Sequence, residues 1–128
     1  MSVPARVETL LTGDPVTAHL ATCKDGRPHV APVWFRYEDG VVELVTGGRK
    51  LAELRENPYV SLSIERSTAG GPEWTVTLRG TAGVVEDDAA YRVANRRINR
   101  RYGAAEDTWL GENTLVRVDI GSASYREY

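Results

Sequence analysis

The strongest constraint on the fold is a succession of short segments that have the alternation or composition of β-strands. The segments are residues 16–23, 29–37, 41–46, 59–65, 74–85 and 115–120. Asp25-Gly26 and Asp39-Gly40 separate the first three, and Asp-Gly between two strands is typical of a β-hairpin. Parallel strands need long crossover connections, and the intervening residues leave room for only two crossover helices. The pattern therefore predicts six antiparallel strands that form a small β-barrel.

Three residues inside these segments predict where the sheet is irregular. Pro32 has no backbone N–H to donate to a neighbouring strand, so its strand is expected to be bulged there or to lie at an edge. Gly80 and Gly83 interrupt the longest segment, at points where a strand would bend around a barrel corner.

Helical patterns occur outside the strands. Residues 1–11 form a short amphipathic stretch, and the residues after Gly48 form about two turns before Asn57-Pro58 stops them. A longer helix starts at Asp87-Asp88, which supply a cap and favourable negative charge, and it ends at Gly103. Helical spacing predicts that its buried stripe consists of Tyr91, Ala94, Ile98 and Tyr102.

Composition restricts the class of protein. With 128 residues, 41% of them hydrophobic and 27% charged, the chain is expected to form one globular domain over residues 1–128. A net charge of −2 argues against a nucleic-acid binder. No apolar run has the length of a membrane helix and no signal-peptide pattern is present, so no membrane partner and a cytoplasmic location are expected. The single cysteine, Cys23, excludes an intrachain disulfide, and with His19 and His29 no cluster has zinc-site spacing.

The most informative short motif joins the third strand to the second helix. Thr46, Gly48, Arg49 and Lys50 lie where a helix N-terminus leaves backbone N–H groups unpaired. Those donors, the helix dipole and the two cations favour an anion such as a phosphate. The alternative is an ordinary strand-to-helix connection in which Arg49 and Lys50 are simply solvated.

Other residues have a functional and a structural interpretation. His29 is a candidate proton donor or a packed or surface histidine, and Cys23 is expected to be inert. The third helix carries five arginines, which form either a solvated face or a contact with an acidic or polyanionic partner. These arginines are Arg92, Arg96, Arg97, Arg100 and Arg101.

Three motifs together resemble a known family. They are residues 26–35 (GRPHVAPVWF), 46–50 (TGGRK) and 56–62 (ENPYVSL). The sequence resembles the pyridoxamine 5'-phosphate oxidase-like superfamily in its order of elements from about residue 16 to residue 120. The resemblance implies a mainly β (α+β) fold, a six-stranded antiparallel split β-barrel with two or three peripheral helices. It also implies a homodimer with FMN between the subunits, or with the deazaflavin coenzyme F420, which a sister branch uses.

The resemblance also implies a set of cofactor-binding residues. Arg49 and Lys50 would contact the cofactor phosphate, with Gly48 at the same helix start and Thr46 close by. Trp74 or Thr75 would approach the ring from the other subunit. The second strand would run along the ring through His29, Val30, Ala31, Pro32, Val33 and Trp34.

The expected function is redox chemistry performed by the bound cofactor. Pyridoxamine 5'-phosphate oxidases proper carry a C-terminal Arg and Trp motif for substrate, which this sequence does not show, so pyridoxal formation is not expected. The expectation is a flavin- or F420-dependent oxidoreductase that transfers hydride to or from a small molecule. The alternatives are a cofactor carrier or storage protein without turnover and a barrel that has lost the cofactor.

Overall fold

A computed structural model describes residues 3–111 and 113–128. The elements are α1 (Ala5–Thr12), β1 (Ala18–Lys24), β2 (Arg27–Val33), β3 (Arg36–Glu38), β4 (Val41–Thr46), α2 (Arg49–Glu56), β5 (Tyr59–Thr68), β6 (Gly71–Val85), α3 (Asp88–Arg101) and β7 (Thr114–Glu127). The predicted mainly β fold with peripheral helices is confirmed. Residues 1 and 2, which belong to the predicted first helix, lie outside the described residues.

The strands form one antiparallel sheet in the order β2-β1-β5-β6-β7-β4-β3. Its two outer strands, β2 and β3, are neighbours in sequence and are separated only by Trp34 and Phe35. So short a connection spans about 10 Å at most, so the sheet must curl until its two edges lie near each other. The result is a barrel that stays open between β2 and β3, which is the split barrel that the family resemblance implies.

The strand count differs from the prediction, because seven strands are present in the described residues where six were predicted. The predicted strand 29–37 is wrong as a single element. Val33 pairs with Ala18, where β1 begins, so the chain beyond Val33 has no partner strand. Phe35 is instead fully buried, and its N–H donates to Tyr102 Oη at 3.2 Å. Tertiary packing therefore ends β2 and starts a new strand at Arg36.

The two irregularities of the sheet have separate causes. Pro32 lies on the edge strand β2, which pairs only with β1, so the prediction of an edge is confirmed. The register between β6 and β7 shifts at Arg79/Gly80, and a Cβ on Gly80 would lie 2.3 Å from the carbonyl oxygen of Asp119. Only glycine fits so close an approach. At Gly83 the pairing with β7 continues without a shift.

Alternating side chains fill the interior of the barrel, as strand periodicity predicts. Leu62 and Ile64 on β5 and Val76 and Leu78 on β6 are buried. Each buried side chain of this size contributes about 1.5–3 kcal/mol of apolar burial. The helix α3 closes one side, and its cap forms as expected, with Asp87 Oδ1 accepting from the Ala90 N–H at 3.0 Å.

In the described part of the chain, no helix is both long enough and apolar enough to cross a membrane.

Candidate functional site

A cavity of about 470 Å³ opens beside the split between β2 and β3. Three elements meet there: the end of β2, the end of β4 with the first turn of α2, and the buried side of α3. The lining residues are Thr17, Pro32, Val33, Trp34, Val45, Thr46, Lys50, Ile98, Asn99, Trp109 and Asn113. This volume, with a mainly apolar lining and a few polar groups, is typical of pockets that bind small molecules.

Five residues singled out from the sequence share this cavity, although two separate segments supply them. Pro32, Val33 and Trp34 come from the end of β2, whereas Thr46 and Lys50 flank the start of α2. They meet because β2 and β4 both end on the same side of the open barrel. The cavity thus combines an apolar strand end with a cation and a hydroxyl.

The residue before α2 has a backbone conformation that glycine favours. Gly48 precedes the helix with φ +61°, a conformation that glycine adopts without a Cβ penalty. No side chain caps this end, so backbone N–H groups of the first turn keep their donor capacity. Lys50 reaches the cavity from this turn, and an anion there would meet both a positive side chain and the helix dipole.

Arg49 lies on a different cavity from Lys50. Successive residues of an α-helix differ in direction by about 100°, and Arg49 lines a neighbouring depression of about 500 Å³ together with His29. Lys24, Arg27 and Glu53 contribute to the same depression. Within one chain, the two cations of the predicted phosphate clamp therefore do not converge on one cavity.

His29 is near a buried carboxylate in that depression. Glu53 is 2% exposed, and its Oε2 accepts from Thr22 Oγ1 at 2.8 Å. Its Oε1 lies 3.9 Å from His29 Nε2, which is longer than a hydrogen bond. Glu53 therefore does not hold His29 through a hydrogen bond, and the predicted contact of His29 with a cofactor stays a prediction.

The remaining predicted residues lie away from the 470 Å³ cavity. Val30 is exposed on the edge strand and Ala31 is partly exposed beside it. Trp74 is buried in the barrel core, and Thr75 next to it is partly buried on β6. The prediction for these last two residues concerns a second subunit and stays a prediction.

Trp34 is held rigidly at the cavity by Tyr102. The two rings stack with centroids 4.6 Å apart and planes 6° apart. Tyr102 Oη donates to the carbonyl of Val16 at 2.7 Å and accepts from the N–H of Phe35. Burial raises the pKa of this phenol, so it remains a neutral donor at physiological pH. The wall formed by Trp34 is therefore preorganised.

Sequence periodicity missed the polar part of α3. Asn95 and Asn99 are both buried beside the predicted apolar stripe, and Asn99 lines the cavity together with Trp109. The available sequence signal was the pair of asparagines at positions i and i+4 on the inner face of the helix. Buried amides need hydrogen-bond partners, so such a pair indicates a polar contact with a neighbouring segment.

Most of the arginine-rich face of α3 is accounted for by contacts within the chain. Arg92 pairs with Asp88 and Arg100 pairs with Glu106. The Arg101 guanidinium lies 5.0 Å over the Phe35 ring, and burial lowers its pKa. These contacts favour the interpretation of a solvated face with packed stems.

No group of three or more His, Cys, Asp or Glu side chains among the described residues could hold a metal ion.

Comparison with known proteins agrees with the fold and identifies the family. The model of the pyridoxamine 5'-phosphate oxidase family matches residues 3–126. The chain belongs to this family. None of the curated protein sequences compared with it is significantly similar.

Solved structures of similar fold carry different descriptions. A FAD-binding protein from Mesorhizobium loti is 21% identical with a TM-score of 0.77, covering 100% of this chain and 97% of its own. A structure described as an F420 reductase is 23% identical with a TM-score of 0.73, covering 91% and 94%. The heme storage protein HutZ from Vibrio cholerae is 20% identical with a TM-score of 0.75, covering 99% and 95%. At these identities the likeness shows the shared fold.

Proposed function

We propose that this protein is a cytoplasmic oxidoreductase that binds FMN, or alternatively the deazaflavin F420, and passes hydride to or from a small molecule. The observation that carries the proposal is the meeting of Trp34, Thr46 and Lys50 at one cavity of about 470 Å³ in a chain of this family. The family supplies the class of cofactor, and the cavity supplies a place for it. Pyridoxal formation is not part of the proposal.

The residues of the cavity fit such a cofactor. A flavin-type ring is planar and largely apolar, and Pro32, Val33 and Trp34 offer it apolar and aromatic surface. Its phosphate is anionic, and Lys50 at the uncapped start of α2 offers a charge-assisted hydrogen bond. Thr46 and Asn99 add neutral polar groups that could orient the ring edge.

The cofactor supplies hydride transfer when it is bound, and the protein supplies binding, orientation and exclusion of water. Trp34 is fixed by its stack on Tyr102, so little conformational entropy is lost when a ring packs against it. Lys50 fixes the charged end of the cofactor and thereby sets the position of the ring. Ile98 and Val45 cover the inner side and keep water away.

We further propose a two-fold homodimer that completes the site. The edge strand β2 is almost wholly exposed, and its Val30 is 69% exposed. On β5, Tyr59 is also exposed, at 72%. Exposed apolar side chains next to an unpaired strand edge are typical of an interaction surface. In such a dimer Trp74 or Thr75 of one subunit would approach the ring bound by the other.

A cofactor carrier or storage protein is the second candidate. Among the described lining residues of the cavity there is no carboxylate, histidine or cysteine that could act as an acid, base or nucleophile. Redox chemistry does not need one, but neither does storage. The heme storage protein of similar fold supports this alternative at the level of the fold.

The test combines identification of the ligand with a turnover assay. Purified protein is examined by absorbance and by mass spectrometry of any co-purifying small molecule, and protein without ligand is titrated with FMN and with F420. Saturable binding of either compound is expected, and binding of neither contradicts the proposal. Reduction of bound FMN by NADPH, or oxidation of reduced F420 by an added acceptor, distinguishes an enzyme from a carrier.

A further inference from the structure

The loop that follows α3 presents a tryptophan to the cavity in an unusual backbone conformation. Trp109 has φ +63°, a region that bulky side chains rarely adopt. Its side chain is 52% exposed and lines the 470 Å³ cavity on the side of α3. A half-exposed aromatic side chain in a left-handed conformation needs a reason, because its partial burial offsets little of the strain.

Three buried polar side chains of α3 hold this loop in place. Tyr91 Oη donates to the carbonyl of Trp109 at 2.8 Å and accepts from the N–H of Gly111 at 3.0 Å. Asn95 Nδ2 donates to the carbonyl of Thr108 at 2.9 Å. Asn99 Nδ2 donates to the same carbonyl at 2.8 Å. The spacing of 91, 95 and 99 places all three on one face of the helix.

Holding the loop in this way has a cost. Asn95 is 1% exposed, and its Oδ1 has no hydrogen-bond partner among residues 3–111 and 113–128. A buried polar atom without a partner is unfavourable, as is a tryptophan with positive φ. Strain of this kind persists where surrounding contacts over-determine the conformation, and it is concentrated at sites that bind ligands. The helix therefore fixes Trp109 at the cavity at some expense of stability.

We propose that Trp109 is a ligand-contacting residue that stacks on the planar ring of the bound cofactor, and that Tyr91, Asn95 and Asn99 are the positioning residues that preorganise it. The inference rests on the proposed function and deepens it. Trp109 and Trp34 both line the same cavity; α3 fixes the backbone of Trp109, and Tyr102, just after α3, fixes the ring of Trp34. Two indoles, one with its ring fixed and one on a fixed backbone, favour a planar aromatic ligand over a flexible one.

The test compares ligands with and without a phosphate. Trp109→Leu and Trp109→Gly are titrated with FMN and with riboflavin, and binding is followed by quenching of flavin fluorescence. Because Trp109 contacts the ring, both variants are expected to lose about tenfold in affinity for both ligands. Trp109→Phe keeps an aromatic face and is expected to stay within about threefold of wild type. Leu110→Ala is the matched control, since Leu110 is the next residue, 41% exposed and outside the cavity lining.

A second readout does not depend on the cofactor. Glycine adopts positive φ freely, so the thermal midpoint of Trp109→Gly is expected to equal or exceed that of wild type while its ligand affinity falls. Wild-type affinity in both Trp109→Leu and Trp109→Gly overturns this inference and leaves the proposed function standing. If wild-type protein binds neither riboflavin, FMN nor F420, the proposed function and this inference both fail.

Discussion

Replacement of Lys50 by alanine tests whether the start of α2 holds the phosphate. A hydrogen bond to a charged group contributes about 1.5–3 kcal/mol. Lys50 is only partly buried, so solvent screening puts its contribution at the lower end, about 1.5–2 kcal/mol. Lys50→Ala is therefore expected to weaken FMN binding about 10- to 30-fold. Riboflavin lacks the phosphate, and its affinity is expected to change by less than about twofold.

The comparison is made by titration of the ligand-free protein, with fluorescence quenching or calorimetry as the readout. Arg55→Ala is the matched control, because Arg55 lies in the last turn of the same helix and pairs with Glu86. Arg49→Ala should weaken FMN binding less than Lys50→Ala if the separation of the two cavities holds in solution. The double Arg49/Lys50→Ala variant is expected to lose about 2–4 kcal/mol. Equal losses for FMN and riboflavin in Lys50→Ala would refute the assignment.

Three further predictions concern stability and assembly. Gly80→Ala is expected to lower the free energy of unfolding in urea by about 3 kcal/mol, because its Cβ would lie 2.3 Å from the Asp119 carbonyl oxygen. Gly83→Ala should change it by less than about 0.5 kcal/mol. Similar effects of the two substitutions would contradict the bulge. Burial and the Glu8 carboxylate raise the pKa of Tyr37 to about 12 in the folded protein. The unfolded chain loses the same proton at a lower pH, about 10, so the free energy of unfolding should fall between about pH 10 and pH 12. Tyr37→Phe should flatten that fall, and an unchanged profile counts against the assignment. Light scattering should give about 28 kDa, twice the 14.1 kDa of one chain, and a monomer at micromolar concentration would contradict the proposed dimer.

Local patterns in the sequence predicted most of the fold. The alternation of residues 59–65 predicted a strand with one buried face, as β5 has, and Asp87 predicted the start of α3. Pro32 predicted a bulge or an edge, because its missing N–H is a property of one residue and needs no tertiary information. Gly80 predicted an irregularity for a similar reason, since only glycine allows so close an approach between strands.

Features that depend on contacts distant in sequence could not be predicted in this way. The break after Val33 requires Phe35 to turn into the core and meet Tyr102, 67 positions later in the chain. The composition of residues 29–37, which is rich in large side chains, contains no sign of that contact. The role of Trp109 could not be predicted from the sequence, because its backbone strain arises in a loop whose hydrogen bonds come from buried asparagines of α3.

The candidate site was predicted in its composition more than in its geometry. Thr46 and Lys50, from the strand–Gly-Gly–helix pattern, share a cavity with Trp34, which only the family resemblance had placed beside them. The sequence placed Arg49 with them because the two cations are adjacent, yet the phase of α2 directs Arg49 to the neighbouring depression. Helix phase relative to the sheet is set by packing of the whole element, including the buried Leu54, and cannot be read from two residues.

The most direct test of the central claim is a crystal structure of the protein grown with FMN, with F420 as the parallel experiment. The account predicts ligand density in the cavity between the end of β2 and α3, with the ring against Trp34 and Trp109 and the phosphate within hydrogen-bond distance of Lys50 Nζ. Density for the ligand elsewhere on the chain, or full occupancy with the phosphate remote from Lys50, would contradict it.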